Sequence, residues 1–307
     1  MKSYFKRFAI AGLCVAAVLS LGSCGGKTGG AKKTIVVTYS ILGAAVKELA
    51  GDALEVVVMI PDGLDPHEWE PSAKDIETIN KAALVVENGL GLEEGMENAL
   101  SQARAAGVTF FTASDHIAVR IVGKGEGIPS GDPDQATGAQ DPHLWTDPMA
   151  MKSVIDALSN YCEANLGVDL SKRRVDLDAG LDALDEEIAA EVGKIPENRR
   201  KLVTGHESMG YFAQRYGFKL VGAVVPNLSS QAESSAGELE TLKKLIAEND
   251  VGVIFTELSE NPKVARALAD EAKVKAIPLT THSLPKDGGY AEFIRGLAST
   301  IVGALSQ

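Results

Sequence analysis

A two-lobed α/β fold, each lobe a mostly parallel sheet flanked by helices, is predicted by three features of the sequence. Short β-branched runs alternate with helical patterns from Thr34 to Thr112. The same alternation resumes at Lys201 and continues to Leu279. Between them lies a single long amphipathic stretch, Leu170 to Ile195. Strands that alternate with helices argue for a parallel sheet covered on both faces.

In chain order, Thr34–Tyr39 reads as a strand, Ile41–Ala50 as a helix and Leu54–Ile60 as a second strand. Ala73–Lys81 is the next helical pattern, Leu84–Val86 a buried strand, Leu92–Ala106 a helix and Val108–Thr112 a strand. Gly123 to Gln140 is rich in Gly, Pro, Asp and Ser and reads as an exposed loop, before a helical stretch from Pro148 to Leu166. From Leu170 to Ile195, apolar residues at Val175, Leu177, Leu181, Leu184, Ile188, Ala189 and Val192 fit a helical stripe, with dense charge elsewhere. That pattern suits a bridge between two lobes, and it is too short for a coiled coil. The second series comprises strands at Lys201–Thr204, Lys219–Val225, Val251–Phe255 and Val274–Leu279, with helices at Gly237–Glu248, Pro262–Ala272 and Tyr290–Leu305.

The first residues stand apart from the fold. Lys2, Lys6 and Arg7 precede an apolar run from Phe8 to Leu21 that ends in Leu21-Gly22-Ser23-Cys24. This is the pattern of a signal peptide with a lipobox, and the run is short for a membrane span of roughly 20 residues. Acylation of Cys24 would tether an exported protein to a bacterial membrane. The expected organisation is therefore a signal peptide over 1–23, a flexible tether over 24–33, an N-terminal lobe over 34–169, a linking helix over 170–195 and a C-terminal lobe over 196–307.

Composition narrows the function. The net charge is −12, and the leader removes three positive residues and no negative one, leaving −15, so nucleic acid is not an expected partner. Of three cysteines, Cys14 leaves with the leader, Cys24 is modified and Cys162 has no mate, so neither a disulfide framework nor a thiolate zinc cluster is expected. Gly26-Lys27-Thr28 resembles the end of a phosphate loop, and Asn88-Gly89-Leu90-Gly91 a dinucleotide loop, but neither has the required glycine spacing.

The five histidines carry more information. Asp141-Pro142-His143-Leu144-Trp145 repeats the order of Asp65-Pro66-His67-Glu68-Trp69, two proline-bracketed turns that each present a histidine after Asp-Pro. His206 and His282 each follow a predicted strand. All four are expected at strand carboxyl ends, facing the cleft where two such lobes meet. His116 is expected at the surface or in a local bond.

Four converging imidazoles need a cation, since protonated rings would repel and neutral ones would lack donors. Nitrogen ligands suit Zn²⁺ with four tetrahedral positions. Such a site disfavours manganese, which prefers more oxygen, and leaves iron, nickel and copper open.

With Glu70-Pro71, Asn88-Gly89-Leu90-Gly91-Leu92-Glu93, Thr146-Asp147-Pro148, Tyr211-Phe212 and Arg215-Tyr216-Gly217 added to these motifs, the chain resembles the zinc- and manganese-type metal receptors of ATP-binding-cassette importers, the ZnuA/TroA-like family. The resemblance implies two α/β lobes joined by one long rigid helix, metal in the cleft, and delivery to a membrane permease by a lipid-anchored, monomeric protein. His67, His143 and His206 fall on the family's first three ligand positions. At the fourth, this chain has His282 where manganese-type members usually have aspartate. The loop before His143, histidine-rich in many zinc-type relatives, has no histidine here. Zn²⁺ is the expected cargo, with Mn²⁺ or Fe²⁺ as alternatives. Two rival readings are a zinc hydrolase with Glu207 as base, disfavoured because four protein ligands close the site, and an adhesin on the same lipid anchor.

Overall fold

The β-branched runs form strands because their side chains are buried on both faces of a covered sheet. Ile35, Val36 and Val37 are each at most 1 % exposed, and full burial of such a side chain stabilises by about 1.5–3 kcal/mol. The computed structural model describes residues 32–123, 126, 138–257 and 262–306. The signal peptide, Cys24, most of the tether and most of the 123–140 loop lie outside these residues.

In the N-terminal lobe, β1 (Thr34–Val37), β2 (Glu55–Val58), β3 (Leu84–Glu87) and β4 (Phe110–Thr112) form an all-parallel sheet of order β2-β1-β3-β4. Around it stand α1 (Ser40–Ala50), α2 (Ala73–Lys81), α3 (Glu97–Ala105) and α4 (Pro148–Tyr161). In the C-terminal lobe, β5 (Lys201–Thr204) pairs with β6 (Lys219–Ala223), and β7 (Val253–Thr256) with β8 (Lys275–Pro278) across the connecting helix α8 (Pro262–Ala272), both in parallel, with β5 beside β7. A separate cluster of Val203, Val221, Leu242, Ile246 and Ile254 forms its core.

Helix starts follow from local chemistry. Ser72 and Asp75 cap α2 reciprocally, as Ser235 and Glu238 cap α7 (Ala236–Glu248). The second Asp-Pro of the central motif is also a helix start, with Asp147 accepting the Met149 N–H at 2.8 Å and Pro148 at the first helical position.

The long stretch is a single helix, α5 (Ser171–Val192), but its stripe is shorter than expected. Leu181, Leu184, Ile188 and Val192 are buried, whereas Val175 is 55 % exposed. Six residues before Leu181, Val175 lies roughly 120° around the helix from the buried face. The charged faces of α5 tie it to its neighbours: Asp182 to Lys152 of α4, Asp185 to Arg215 of α6 (Gly210–Tyr216), and Glu187 to Arg295 of α9 (Tyr290–Leu305). Helix α6, of only seven residues, was not predicted from the sequence pattern. The last helix, α9, follows the C-terminal strands in sequence but packs on α1 and α5. Cys162 is buried in the main core, and burial pushes its thiol up to about 11, which makes it inert.

The predicted helix Leu92–Ala106 breaks into a 3-10 turn, Glu94–Met96, followed by α3. The turn is pressed against the His67 loop, and a methyl group on Gly95 would overlap the carbonyl of Trp69. Gly95→Ala is therefore expected to cost about 2 kcal/mol of stability through overpacking, read from chemical denaturation. An unchanged midpoint would show that the His67 loop gives way freely.

Candidate metal centre

The two Asp-Pro-His segments fold alike for a reason internal to the tripeptide. Proline has no N–H, so the aspartate carboxylate turns back to accept the N–H of the histidine two residues on, at 2.9 Å in both Asp65–His67 and Asp141–His143. His67 lies beyond β2, His206 two residues beyond β5 and His282 beyond β8, so the strand ends deliver three rings to the cleft. His143 arrives instead on the irregular segment before α4.

The structure brings His67, His143 and His206 together with ligand atoms within 4.8 Å of one another, all buried. Nε2 of His143 lies 3.4 Å from Nε2 of His67 and 3.2 Å from Nε2 of His206. His282 stands beside this group, its ring stacked on that of His206 with centroids 5.3 Å apart and its Nε2 buried without a hydrogen-bond partner among the described residues. His116 is exposed and stacks on Phe111 at 4.4 Å, away from the cleft.

On the far side, each ring nitrogen is engaged. His67 Nδ1 lies 3.2 Å from Glu94, His143 Nδ1 lies 2.8 Å from Asp141, and His206 Nδ1 lies 2.7 Å from Glu257. His282 Nδ1 is 2.9 Å from the Thr281 hydroxyl, which itself donates to Glu257 at 2.9 Å. Because that hydroxyl has only one proton, His282 must donate its own Nδ1–H to the Thr281 oxygen. All four rings thus carry the proton on Nδ1 and turn an Nε2 lone pair inward, the second-sphere arrangement that orients metal-binding histidines.

The charges behind the rings are unevenly held. Burial raises Asp141 to about 6 against the pull of Arg120, which lies 3.1 Å from it. Burial would also raise Glu257, but His206 outweighs it and holds the carboxylate down to about 2. His143 is pushed well below the ordinary histidine range by burial and then by His206, and burial lowers His282 to about 4. Both rings are therefore neutral near pH 7. Asp65, in the field of His282, His67 and His206, is held below the usual carboxylate range despite its burial, and its Oδ2 has no hydrogen-bond partner among the described residues.

The floor of the cleft is Trp145, fully buried, with its ring 5.2 Å from His143 and 5.5 Å from His282. Its indole N–H donates to the Thr281 carbonyl at 2.9 Å, and its own carbonyl accepts the Tyr290 hydroxyl at 2.9 Å. Glu207 is not beside the reacting side of the rings. It lines a small cavity with Arg120, Thr204 and Leu220, and burial raises it to about 7.

The sequence reading missed Glu94, Glu257 and Thr281. Glu257 carried a signal, since it immediately follows a buried strand, as the histidine loops follow theirs.

The family described as zinc-uptake complex component A, periplasmic, matches residues 35–304. The chain belongs to this family. Its members are metal receptors of uptake systems rather than enzymes. The zinc-binding protein TroA of Treponema pallidum is 28 % identical over 249 residues, covering 80 % of this chain and 76 % of that protein. The manganese-binding lipoprotein MntA of Halalkalibacterium halodurans is 26 % identical over 316 residues, covering 96 % and 97 %. The solved structure of the Treponema pallidum periplasmic zinc-binding protein TroA superposes with a TM-score of 0.76 at 26 % identity, covering 90 % of this chain and all of that one. Among the described residues no helix is long and apolar enough to cross a membrane.

Proposed function

We propose that the protein captures a divalent transition metal, with zinc as the preferred cargo, between His67, His143, His206 and His282, and delivers it to the permease of an ATP-binding-cassette importer. The observation that carries this reading is the pair of Nε2–Nε2 separations, 3.4 and 3.2 Å, between rings whose protons are committed elsewhere. Lone pairs facing each other at that distance repel unless a cation lies between them. A tetrahedral ion about 2.0–2.1 Å from each nitrogen holds neighbouring nitrogens about 3.3–3.4 Å apart, whereas right-angle ligation at that length would bring them to about 2.9 Å. At that bond length the spacing suits the tetrahedral case. One orphaned buried atom, His282 Nε2, fits the same explanation, because a cation satisfies it.

Relatives are named for zinc and for manganese. The all-nitrogen set supports zinc here, since manganese sites draw more heavily on oxygen. An ion enclosed by four side chains suits capture and release to a partner rather than catalysis. The lipobox ending at Cys24 supports an exported protein held at the membrane surface next to such a permease.

Elemental analysis of the untagged exported protein should find zinc bound at a single equivalent, retained in competition with excess Mn²⁺. Retention of manganese or iron in preference to zinc would overturn the choice of metal. Normal zinc uptake in a strain lacking the gene would overturn delivery.

A further inference from the structure

The connection between β6 and α7 runs as a strap from the third histidine to the first. At one end, the carbonyl of Asn227 accepts the N–H of Glu207, the residue after His206, at 3.0 Å. At the other, the Gln231 side-chain amide donates to the carbonyl of His67 at 2.5 Å and to Glu94 Oε2 at 3.2 Å. Between them, Ser229 is held by Asn227 Oδ1 at 2.8 Å and accepts the Gln231 N–H at 3.3 Å. Glu94 belongs to the N-terminal lobe, and its other oxygen, Oε1, faces His67 Nδ1 at 3.2 Å. One carboxylate therefore joins the first histidine to a segment of the opposite lobe. It does so at the rim of a cavity of about 380 Å³ that His67, Glu94, Asn227 and Ser229 help to line.

Taking the four histidines as the metal site, we propose that Glu94 is a positioning residue that couples ion capture at His67 to docking of the 227–231 strap. An ion on Nε2 draws electron density from the ring and makes Nδ1–H a stronger donor, which fixes Glu94 in the rotamer that receives Gln231. Coupling of this kind is reciprocal, so the docked strap also keeps the His67 ring aimed at the ion and slows its escape. The Gln231 amide cannot turn over to compensate for a change at position 94, because its oxygen would then face the His67 carbonyl.

The test is a double-mutant cycle with Glu94→Gln and Gln231→Ala in the purified exported protein, using zinc as the probe. Glutamine keeps the shape at position 94 but offers one acceptor oxygen. If that oxygen serves His67, its amide sets two donors against the Gln231 amide. Glu94→Gln is expected to weaken zinc binding about tenfold, within the range for second-sphere partners, and chiefly by faster release. Gln231→Ala should weaken it by a smaller factor, and the double variant should be no weaker than Glu94→Gln alone.

A merely structural role would leave one readout unmoved: amide exchange across 227–231 should slow on zinc addition in the parent and not in Glu94→Gln. Additive losses in the cycle, or the same zinc-dependent protection in both proteins, would overturn the coupling while the metal site stands. No zinc binding by the parent would overturn the metal site itself.

Discussion

Replacing His143 with alanine is expected to lower zinc affinity by more than about 100-fold, the upper end of what loss of an outer-sphere partner costs. His143 is the central ring. Its Nε2 lies within 3.4 Å of both neighbouring Nε2 atoms, so its loss opens the cluster in the middle rather than at an edge. The fold should survive, because Asp141 keeps its contact with Arg120 and the Trp145 floor keeps its bonds to Thr281 and Tyr290. Competition against a chromophoric chelator gives the affinity, and far-ultraviolet circular dichroism checks the fold. His282→Ala should also weaken binding, but by less, since that ring stands beside the close trio rather than within it. His116→Ala serves as the control, its ring lying on Phe111 outside the cleft. Parent-like affinity in His143→Ala would remove the cluster from consideration as the metal site.

What could be read in the sequence and what could not divide along a physical line. Strand runs such as Thr34–Val37 and Lys201–Thr204 were legible because burial on both faces demands a continuous apolar segment, which leaves a one-dimensional trace. The paired Asp-Pro-His segments were legible because the device is local: aspartate, proline and histidine fold the turn among themselves. Their convergence was inferred by placing each histidine at a strand end, which holds for His67 but not for His143.

The carboxylates behind the rings were less visible. Glu94 and Glu257 are single residues whose partners lie 27 and 51 positions away, and no periodicity marks such a pair. The stripe on α5 was overextended to Val175, although its spacing of six residues from Leu181 already sets it off the buried face, and the residue is exposed. The break at Gly95 was missed because a close approach between two loops exists only after both have folded.

The pH dependence separates the rings. Considered from the sequence alone, four histidines titrating near about 6.5 would release up to four protons as the ion enters. Burial changes this count. His282 is lowered to about 4, and His143 lies well below the ordinary histidine range, so in the metal-free protein both are already neutral at pH 6 and have no proton to release. Neither ring should then release a proton as metal binds at pH 6, so the proton count from titration calorimetry in buffers of differing ionisation enthalpy should be the same in His282→Ala as in the parent.

The same shifts fix the sign for stability. Each of the two rings has a folded pKa below its unfolded value, so the unfolded chain binds more protons between the two, and the metal-free fold loses stability as pH falls below about 6.5. For His282 the loss reaches about 3 kcal/mol by pH 4, at roughly 1.4 kcal/mol per pH unit. Denaturation of the metal-free protein at pH 7 and pH 4.5 should reveal it, and His282→Ala should flatten the slope. A proton count at pH 6 that falls in His282→Ala, or a stability slope that His282→Ala leaves unchanged, would mean that this ring is solvated in the metal-free protein and that the cleft opens when it is empty.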